Sequence, residues 1–371
     1  MFADTLIYEK KNDVIKIAGL EDGILESLDI IDLSKPIEGN IYLGRITKKI
    51  ELANGKIGYF VNIGDNKEAF MNADEYGRDD LNANEGQEII AQVVQEQRAE
   101  KGAKLVRSLQ FVGQNLVYCP YKMNVETSSK ISDVAKASDL KQIVHDNITG
   151  QEGWIIRTSA IDADVEDIIE EMNILRSQFD EIRNKAKTSK APMLLFKRNN
   201  ILINNINNNK NLQKIVLNDH NLEEIFNADF DVEFDLNPFE KYGIDDLLEE
   251  ALSKEISLKS GGRIFIEETK ACVAIDVDSG SDNGQGSFGR LNMEAAEEIV
   301  KQIRLRNLSG KIVIDFAGSS EYRYLKSVIE YLEDVFAKDS IKTRVYGLSK
   351  GGLIELSRVR RRPSLSDMLK R

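Results

Sequence analysis

The N-terminal hundred residues alternate between apolar and polar positions over short runs, which is the pattern of half-buried β-strands. Residues 14–18 are one such run, in a group of predicted strands that covers roughly the first thirty residues. After Pro36, further short runs are separated by glycine, asparagine and aspartate; they are residues 40–46, 57–64, 68–71 and 87–93. Short strands at this spacing predict a small closed barrel of the OB type, a fold that often binds single-stranded nucleic acid.

A helical period replaces the alternation in the middle of the chain. Apolar residues recur three or four positions apart and predict one long amphipathic helix. These residues are Val165, Ile168, Ile169, Met172, Leu175, Phe179 and Ile182.

A strand–helix–strand unit is predicted near the C-terminus. Residues 263–267 and 271–277 form a predicted hairpin, and a glycine-rich loop follows at residues 279–289. A helix is expected next, with Asn292 as its N-cap. The apolar run 311–316 is then a buried strand. A unit with these lengths predicts that its two outer strands are parallel neighbours.

Asp276 and Asp315 stand at the carboxyl ends of these two predicted strands. Adjacent parallel strands lie about 4.8 Å apart, so both carboxylates can converge on one ion at the sheet edge where α/β proteins bind ligands. Mg²⁺ accepts one or two carboxylates and keeps sites for water and phosphate oxygens. Such an ion can activate water and offset charge on a phosphate. From spacing alone, the alternative is that both aspartates cap turns where the strands stop.

Charge and histidine content refine the candidate chemistry. The net charge of −12 argues against a nucleic-acid partner only as an average, because basic residues cluster at positions 358–371 and at Arg45, Lys48 and Lys49. Nucleic-acid binding needs a local basic track rather than a basic total. With only two histidines in 371 residues, carboxylates and a metal are a better starting point than histidine catalysis.

The remaining composition bounds class and compartment. A chain of 371 residues exceeds what one core usually supports, so two or more subdomains are expected. Cys119 and Cys272 lack the spacing of a disulfide framework or a zinc site. No apolar run approaches the roughly 20 residues of a membrane span, and the first residues lack the order of a signal peptide. A bacterial-type cytoplasmic location is therefore expected.

Several C-terminal motifs resemble, in order and spacing, the catalytic core of the ribonuclease E/G family. They are residues 261–267, 273–280, 292–296, 303–310 and 312–316, with a further similar segment at 352–358. The likeness weakens towards the N-terminus but covers nearly all of the chain. It implies a Mg²⁺-dependent endoribonuclease that hydrolyses A/U-rich single-stranded RNA to 3′-hydroxyl and 5′-phosphate ends in RNA processing or decay. By position, Asp276 and Asp315 are its metal ligands, and Asp278 is a further catalytic position where the family usually has asparagine.

The resemblance also implies an α/β fold of several subdomains. An RNase H-like subdomain would hold an inserted OB-fold barrel and a 5′-sensor-like subdomain, with a DNase I-like catalytic subdomain and a basic tail following. The RNase H-like subdomain would comprise residues 1–36 and 191–251, the barrel 37–112 and the 5′-sensor-like subdomain 113–190. The catalytic subdomain would comprise 252–357 and the basic tail 358–371.

Two groups of residues are candidate RNA contacts. Strand alternation places Tyr59, Val61 and Ile63 on one face and Phe60 on the other, where an exposed ring can stack on a base. By resemblance, Phe60, Phe70 and Lys101 contact RNA, and Arg157 with Thr158 reads a 5′-monophosphate; here Ser159 and Ala160 follow, without the family's usual glycine. The five candidate RNA contacts are therefore Phe60, Phe70, Lys101, Arg157 and Thr158.

The partners and the competing interpretations follow from the same residues. Single-stranded RNA is the expected partner; a homo-oligomer is compatible with the family, but the zinc-linked dimer is not expected because its paired cysteines are absent. The main alternative is a non-catalytic RNA-binding relative. An unrelated nucleotide-binding protein would need a phosphate loop. The glycines of the predicted loop form neither the GxGxxG pattern nor the Walker pattern; they are Gly280, Gly284, Gly286 and Gly289.

Overall fold

The computed structural model describes most of the chain, and its elements are numbered here in chain order. The described residues are 3–53, 55–74, 81–98, 101–129, 131, 133–198, 201–207, 209, 211–226, 229–280, 287–318, 322–339 and 341–369. The chain divides into two compact units, one made of Met1–Asp32 with Asn208–Arg371 and the other of Leu33–Asn207.

Three antiparallel strands open the first unit, as the alternation predicted. They are β1 (Thr5–Lys11), β2 (Val14–Glu21) and β3 (Ile24–Asp32). Both connecting turns hold a residue at positive φ, Asn12 at 53° and Asp22 at 50°. Asn and Asp tolerate this conformation better than other residues with a Cβ, which suits them to tight hairpins.

The second unit contains the predicted barrel. Its strands are β4 (Ile41–Glu51), β5 (Ile57–Asn62), β6 (Ala69–Asn72), β7 (Glu88–Gln95) and β8 (Lys104–Val106). They pair in the order β4–β5–β6–β8–β7, and β7 pairs back to β4, so the sheet closes. A Cβ at Gly102 would stand 1.9 Å from the carbonyl oxygen of Glu68. Only glycine therefore permits the close backbone approach that leads into β8. The prediction of a closed OB-like barrel is confirmed.

A small sheet and two helices complete most of the second unit. They are β9 (Phe111–Val112), β10 (Leu116–Cys119), β11 (Val125–Thr127), α1 (Val134–Asp146), β12 (Gly153–Ile156) and α2 (Val165–Thr188). The strands pair in the order β11–β12–β10–β9. The long amphipathic helix is confirmed, since α2 buries five of the seven predicted residues, Ile168, Met172, Leu175, Phe179 and Ile182. Ile169 is half-buried, and Val165, the first residue of the helix, is exposed.

The following segment returns to the N-terminal sheet. It comprises β13 (Met193–Phe196), α3 (Ile201–Asn207), β14 (Lys214–Leu217), α4 (His220–Phe226), β15 (Asp231–Phe234), α5 (Pro238–Lys241) and α6 (Ile244–Ala251). Strand β13 pairs with β4 of the barrel. Strand β14 runs parallel to β1, and β15 runs parallel to β14, giving a sheet in the order β15–β14–β1–β2–β3.

A six-stranded sheet forms the C-terminal part of the first unit. Its elements are β16 (Glu255–Ser257), β17 (Arg263–Glu268), β18 (Val273–Asp278), α7 (Ser287–Leu305), β19 (Gly310–Asp315), α8 (Tyr322–Ala337), β20 (Thr343–Leu348), β21 (Ile354–Arg358) and α9 (Leu365–Leu369). The strand order is β16–β17–β18–β19–β21–β20. The hairpin β17–β18 and the parallel pair β18–β19 are both as predicted.

One face of this sheet packs on α7 and α8. The apolar core there joins Ile275 and Ile314 of the sheet to Ile299 of α7 and Leu332 of α8. Because side chains alternate along a strand, their neighbours in sequence lie on the opposite face, which we call the open face. Its side chains include Phe265, Asp276, Asp278, Val313, Asp315, Glu355 and Ser357.

Two sequence predictions in this part are wrong. Asn292 is not the N-cap of a helix, because α7 already begins at Ser287. The Asn292 side chain is fully buried and donates to the carbonyl of Ala317 at 2.8 Å. The basic tail is not a tail: Arg358 is 5% exposed and pairs with Asp339 at 3.4 Å, and Leu365 is fully buried. Arg358 is held inside the fold because the buried carboxylate of Asp339 and the carbonyl of Leu308 need its charge and donors, whereas Arg360 and Arg361 are exposed.

None of the helices in the described ranges is long and apolar enough to cross a lipid bilayer.

Candidate active site and nucleic-acid interface

Asp276 and Asp315 lie side by side on the open face. They are register partners at the carboxyl ends of the parallel strands β18 and β19, so their backbones are separated by about 4.8 Å. Both side chains are exposed, while the preceding residues Ile275 and Ile314 are buried in the core. The apolar strands therefore fix two carboxylates at one edge of the sheet.

The electrostatics at this pair favour a bound cation. Partial desolvation raises the pKa of Asp276, and the negative charges of Asp315 and Asp278 raise it further. Within the described ranges, neither Asp276 nor Asp315 makes an ion pair or a side-chain hydrogen bond. Two carboxylates that repel each other and have no cationic partner are stabilised when a positive ion lies between them.

The donor set fits a hard divalent cation with few protein ligands. Across the part of the chain that the structure describes, no group of three or more histidine, cysteine, aspartate or glutamate side chains has the arrangement of a metal site. Asp276 and Asp315 would therefore be the protein ligands that the described residues offer. Mg²⁺ is commonly held in this way, with the remaining positions left to water and substrate phosphate oxygens.

Asp278 lies on the same face but is already occupied. One of its oxygens accepts from Arg263 at 2.9 Å, and the other accepts the backbone N–H of Gly280 at 2.9 Å. The N–H of Gly280 and then Arg263 lower the pKa of Asp278, so it stays ionised. Arg263 thus balances the negative charge of Asp278. Residues 281–286 of the predicted glycine-rich loop lie outside the described residues.

A row of aromatic and basic side chains crosses the barrel. Phe60 and Phe70 face each other on β5 and β6, with ring centroids 5.6 Å apart and planes at 66°. Lys48 is the register partner of Phe60, and Lys104 is that of Phe70. We call Lys48, Phe60, Phe70 and Lys104 the aromatic row. Half-buried rings flanked by exposed cations can stack on bases while the lysines attract phosphates.

The sequence analysis gave Lys48 only as part of a basic cluster and did not identify Lys104 at all. A register shift on β4 between Ile46 and Lys48 changes which face the later residues occupy, and simple alternation does not reveal such a bulge. Lys104 lies on β8, a strand of three residues that is too short to recognise from its pattern. The predicted Lys101 is exposed and lies just before it, in a bridge with Arg98.

Gly58 gives space to Phe70, and this leads to a test of the aromatic row. A Cβ at Gly58 would lie 2.7 Å from the ring of Phe70, so Gly58→Ala is expected to displace the ring and leave the barrel folded. We expect single-stranded RNA to bind about 2- to 5-fold more weakly, a fraction of one stacking contact. Fluorescence anisotropy measures this, and Gly150→Ala is the matched control, because nothing lies within 4 Å of its added Cβ. Unchanged affinity in Gly58→Ala would contradict the assignment of Phe70.

Arg157 holds a backbone turn in the second unit. Its guanidinium donates to the carbonyls of Gly113 and Gln114, the latter at 3.0 Å. Glu171 supports the same turn by accepting the N–H of Asn115 at 3.0 Å, and burial raises the pKa of Glu171. One Arg157 nitrogen is thus committed to the fold. Its other nitrogens take no part in these two bonds, and Thr158 opens the 3₁₀ turn Thr158–Asp162 that follows.

Removing the Arg157 side chain should therefore destabilise the fold. In Arg157→Ala the carbonyls of Gly113 and Gln114 lose their donor, and we expect the free energy of unfolding to fall by about 1–2 kcal/mol. Urea denaturation followed by circular dichroism measures it. Arg183→Ala is the control, since Arg183 is exposed and such changes usually stay within about 0.5 kcal/mol. Equal stability of both variants would show that the turn does not depend on Arg157.

Comparison with known proteins assigns the chain to a family. The sequence model of the ribonuclease E/G family matches residues 110–361. Ribonuclease G of Haemophilus influenzae is 30% identical over 95% of this chain and 79% of its own length. Ribonuclease G of Escherichia coli is 27% identical with the same coverage, and ribonuclease E of Escherichia coli is 27% identical over 98% of this chain but 37% of its own length. The chain belongs to the ribonuclease E/G family.

Proposed function

We propose that the chain is an endoribonuclease that cleaves single-stranded RNA with a divalent cation, Mg²⁺ being the ion expected. The observation that carries the proposal is the pairing of Asp276 with Asp315 at one sheet edge, exposed and without a cationic partner among the described residues. The names of the similar proteins, ribonuclease G and ribonuclease E, support the same activity.

The residues of the site divide the chemistry between them. Asp276 and Asp315 would hold the ion, and the scissile bond would then lie over the open face. When bound, the cation offsets the charge that develops on the scissile phosphate and makes water a better nucleophile at neutral pH. Arg263 keeps Asp278 paired, which limits the repulsion between that carboxylate and the phosphate. Hydrolysis of the bond to the 3′ oxygen leaves a 3′-hydroxyl and a 5′-phosphate.

The substrate class follows from the aromatic row. Base stacking requires unpaired bases and tolerates many sequences, so the barrel suits a single strand. By the resemblance to the ribonuclease E/G family, A/U-rich strands are the proposed substrates. Arg157 and Thr158 are proposed to contact the 5′-phosphate through the groups not used in the turn. Lys101 is proposed as a further phosphate contact beside the row.

The family layout is part of the proposal. It consists of an RNase H-like subdomain, the OB barrel, a 5′-sensor-like subdomain and a DNase I-like catalytic subdomain. The proposed RNase H-like subdomain comprises residues 1–36 and 191–251, and the OB barrel comprises 37–112. The 5′-sensor-like subdomain comprises 113–190 and the DNase I-like subdomain 252–357.

The test uses two forms of one A/U-rich RNA, a fluorescent linear strand with a 5′-monophosphate and a covalent circle. We expect both to be cut with Mg²⁺ and neither with EDTA, because an endonuclease needs no free end. The products should carry a 5′-phosphate that a 5′-phosphate-dependent exonuclease accepts. Release of single nucleotides from an end of the linear strand, with no internal cut, would contradict the endonuclease. Tight binding without cutting would indicate the alternative, a non-catalytic RNA-binding relative.

A further inference from the structure

We propose that Arg344 and Tyr346 on β20 form a second nucleotide-binding site, which holds a base and a phosphate of the substrate strand a few nucleotides from the scissile position. The inference rests on the proposed function and extends it along the open face. The occupant is single-stranded RNA continuing from the carboxylate pair.

The position of these side chains on the open face is fixed by their contacts. The Tyr346 hydroxyl lies 3.1 Å from Oγ of Ser357, and Ser357 alternates with the buried Leu356. Arg344 is the register partner of Ser357, which is also the register partner of Lys311. Arg344, Tyr346 and Lys311 therefore lie on the same face as the catalytic carboxylates.

The distance suits a nucleotide a few positions from the cut. Strand β21 separates β20 from β19, so β20 lies about 10 Å across the sheet from the strand that carries Asp315. Arg344 is level with Lys311, four residues or about 13 Å before Asp315 along β19. A strand of RNA whose scissile phosphate lies at the carboxylates can reach this site by running diagonally across the open face. The site then contacts a nucleotide a few positions from the cut, on one side of it only.

The exposure of Tyr346 is what an aromatic stacking site needs. Its side chain is 57% exposed, although tyrosine usually buries most of its ring. A register shift between Val345 and Gly347 and the positive φ of Gly347, 83°, set its direction. Bulges of this kind often re-aim a side chain at a functional surface. Arg344 lies 5.1 Å from the ring centroid, leaving the rest of the ring to a base.

The charge at this site matches a phosphate backbone. Within the described ranges, neither Arg344 nor Lys311 forms an ion pair. Other arginines of the same sheet are neutralised, since Arg263 pairs with Asp278 and Arg358 pairs with Asp339. Two unpaired cations beside an exposed ring give the combination that binds single-stranded nucleic acid, stacking with backbone attraction.

The first test compares substrates with one cut site and different lengths on either side of it. We expect Tyr346→Ala to raise KM about 5- to 10-fold, the lower range of a stacking contact, only for RNAs that extend past the cut on one side. Shortening that side should raise the wild-type KM to the variant's value. Tyr346→Phe, which keeps the ring, should restore the wild-type KM. Arg344→Ala should raise KM and weaken its dependence on salt.

Controls and contrary results complete the test. Leu236→Ala removes another exposed apolar side chain of the same unit and should leave KM unchanged. An equal rise in KM for every substrate length would overturn the site and leave the ring as a surface for another partner. Wild-type KM in a folded Tyr346→Ala protein would also overturn it and leave Tyr346 as a strand residue alone. If the wild type binds without cutting, the proposed activity fails separately. The Kd of the same RNAs for the wild type and Tyr346→Ala, measured by fluorescence anisotropy, then tests the nucleotide-binding site.

Discussion

Replacing Asp276 or Asp315 by asparagine is expected to reduce RNA cleavage by about 10³-fold or more. A cation that stabilises the transition state contributes several kcal/mol, and each 1.36 kcal/mol is tenfold in rate. An asparagine at either position removes one of the two charges that hold the ion. Because both side chains are exposed and the core beneath them is unchanged, the loss should appear in kcat and not in folding.

The control for this prediction lies on the same face. Glu355 is exposed and is the register partner of Val313, one strand from the pair, so Glu355→Gln removes a nearby charge without touching the ion. Its cleavage rate should stay close to that of the wild type.

Thermal unfolding of Asp276→Asn should occur at a temperature no lower than that of the wild type, because the repulsion with Asp315 is relieved. An equal loss of rate in all three variants would indicate a general effect of charge.

The second large effect is expected in the barrel. Phe60→Ala should weaken binding of single-stranded RNA roughly 5- to 150-fold, since stacking contributes about 1–3 kcal/mol per base. Phe70→Ala should act similarly, and the double variant should lose less than the sum, because the two rings contact each other. Fluorescence anisotropy with a labelled A/U-rich strand measures the three affinities.

An exposed apolar residue of the same unit serves as the control. Val112→Ala removes a side chain that is exposed on β9 and should leave the affinity unchanged. A duplex of the same sequence should bind weakly to every variant, because its bases are not free to stack. Wild-type affinity in Phe60→Ala would show that the aromatic row is not the RNA contact.

Local patterns predicted much of this architecture. The alternation around Tyr59 and Phe60 gave the correct faces, because the side-chain period of a strand is two and β5 has no bulge there. The stripe of α2 and the lengths of the β18–α7–β19 unit were equally informative. Each of these features depends on residues close together in the sequence.

Features that depend on distant partners were not predictable in this way. Arg358 became a buried residue because Asp339, nineteen positions earlier, supplies its counter-charge. Lys48 joined the aromatic row through a bulge, and the charge of Asp278 is balanced by Arg263 on a neighbouring strand. Sequence patterns show which residues are polar, but they do not show which partner satisfies them.

The dependence of the cleavage rate on Mg²⁺ concentration tests the account most directly. It would be measured on circular single-stranded RNA for the wild type, Asp315→Asn and Glu355→Gln. The pairing of Asp276 and Asp315 predicts no cutting without the ion, a saturating curve for the wild type and Glu355→Gln, and no cutting by Asp315→Asn at the same concentrations. Cutting in EDTA, or a wild-type curve for Asp315→Asn, would contradict it.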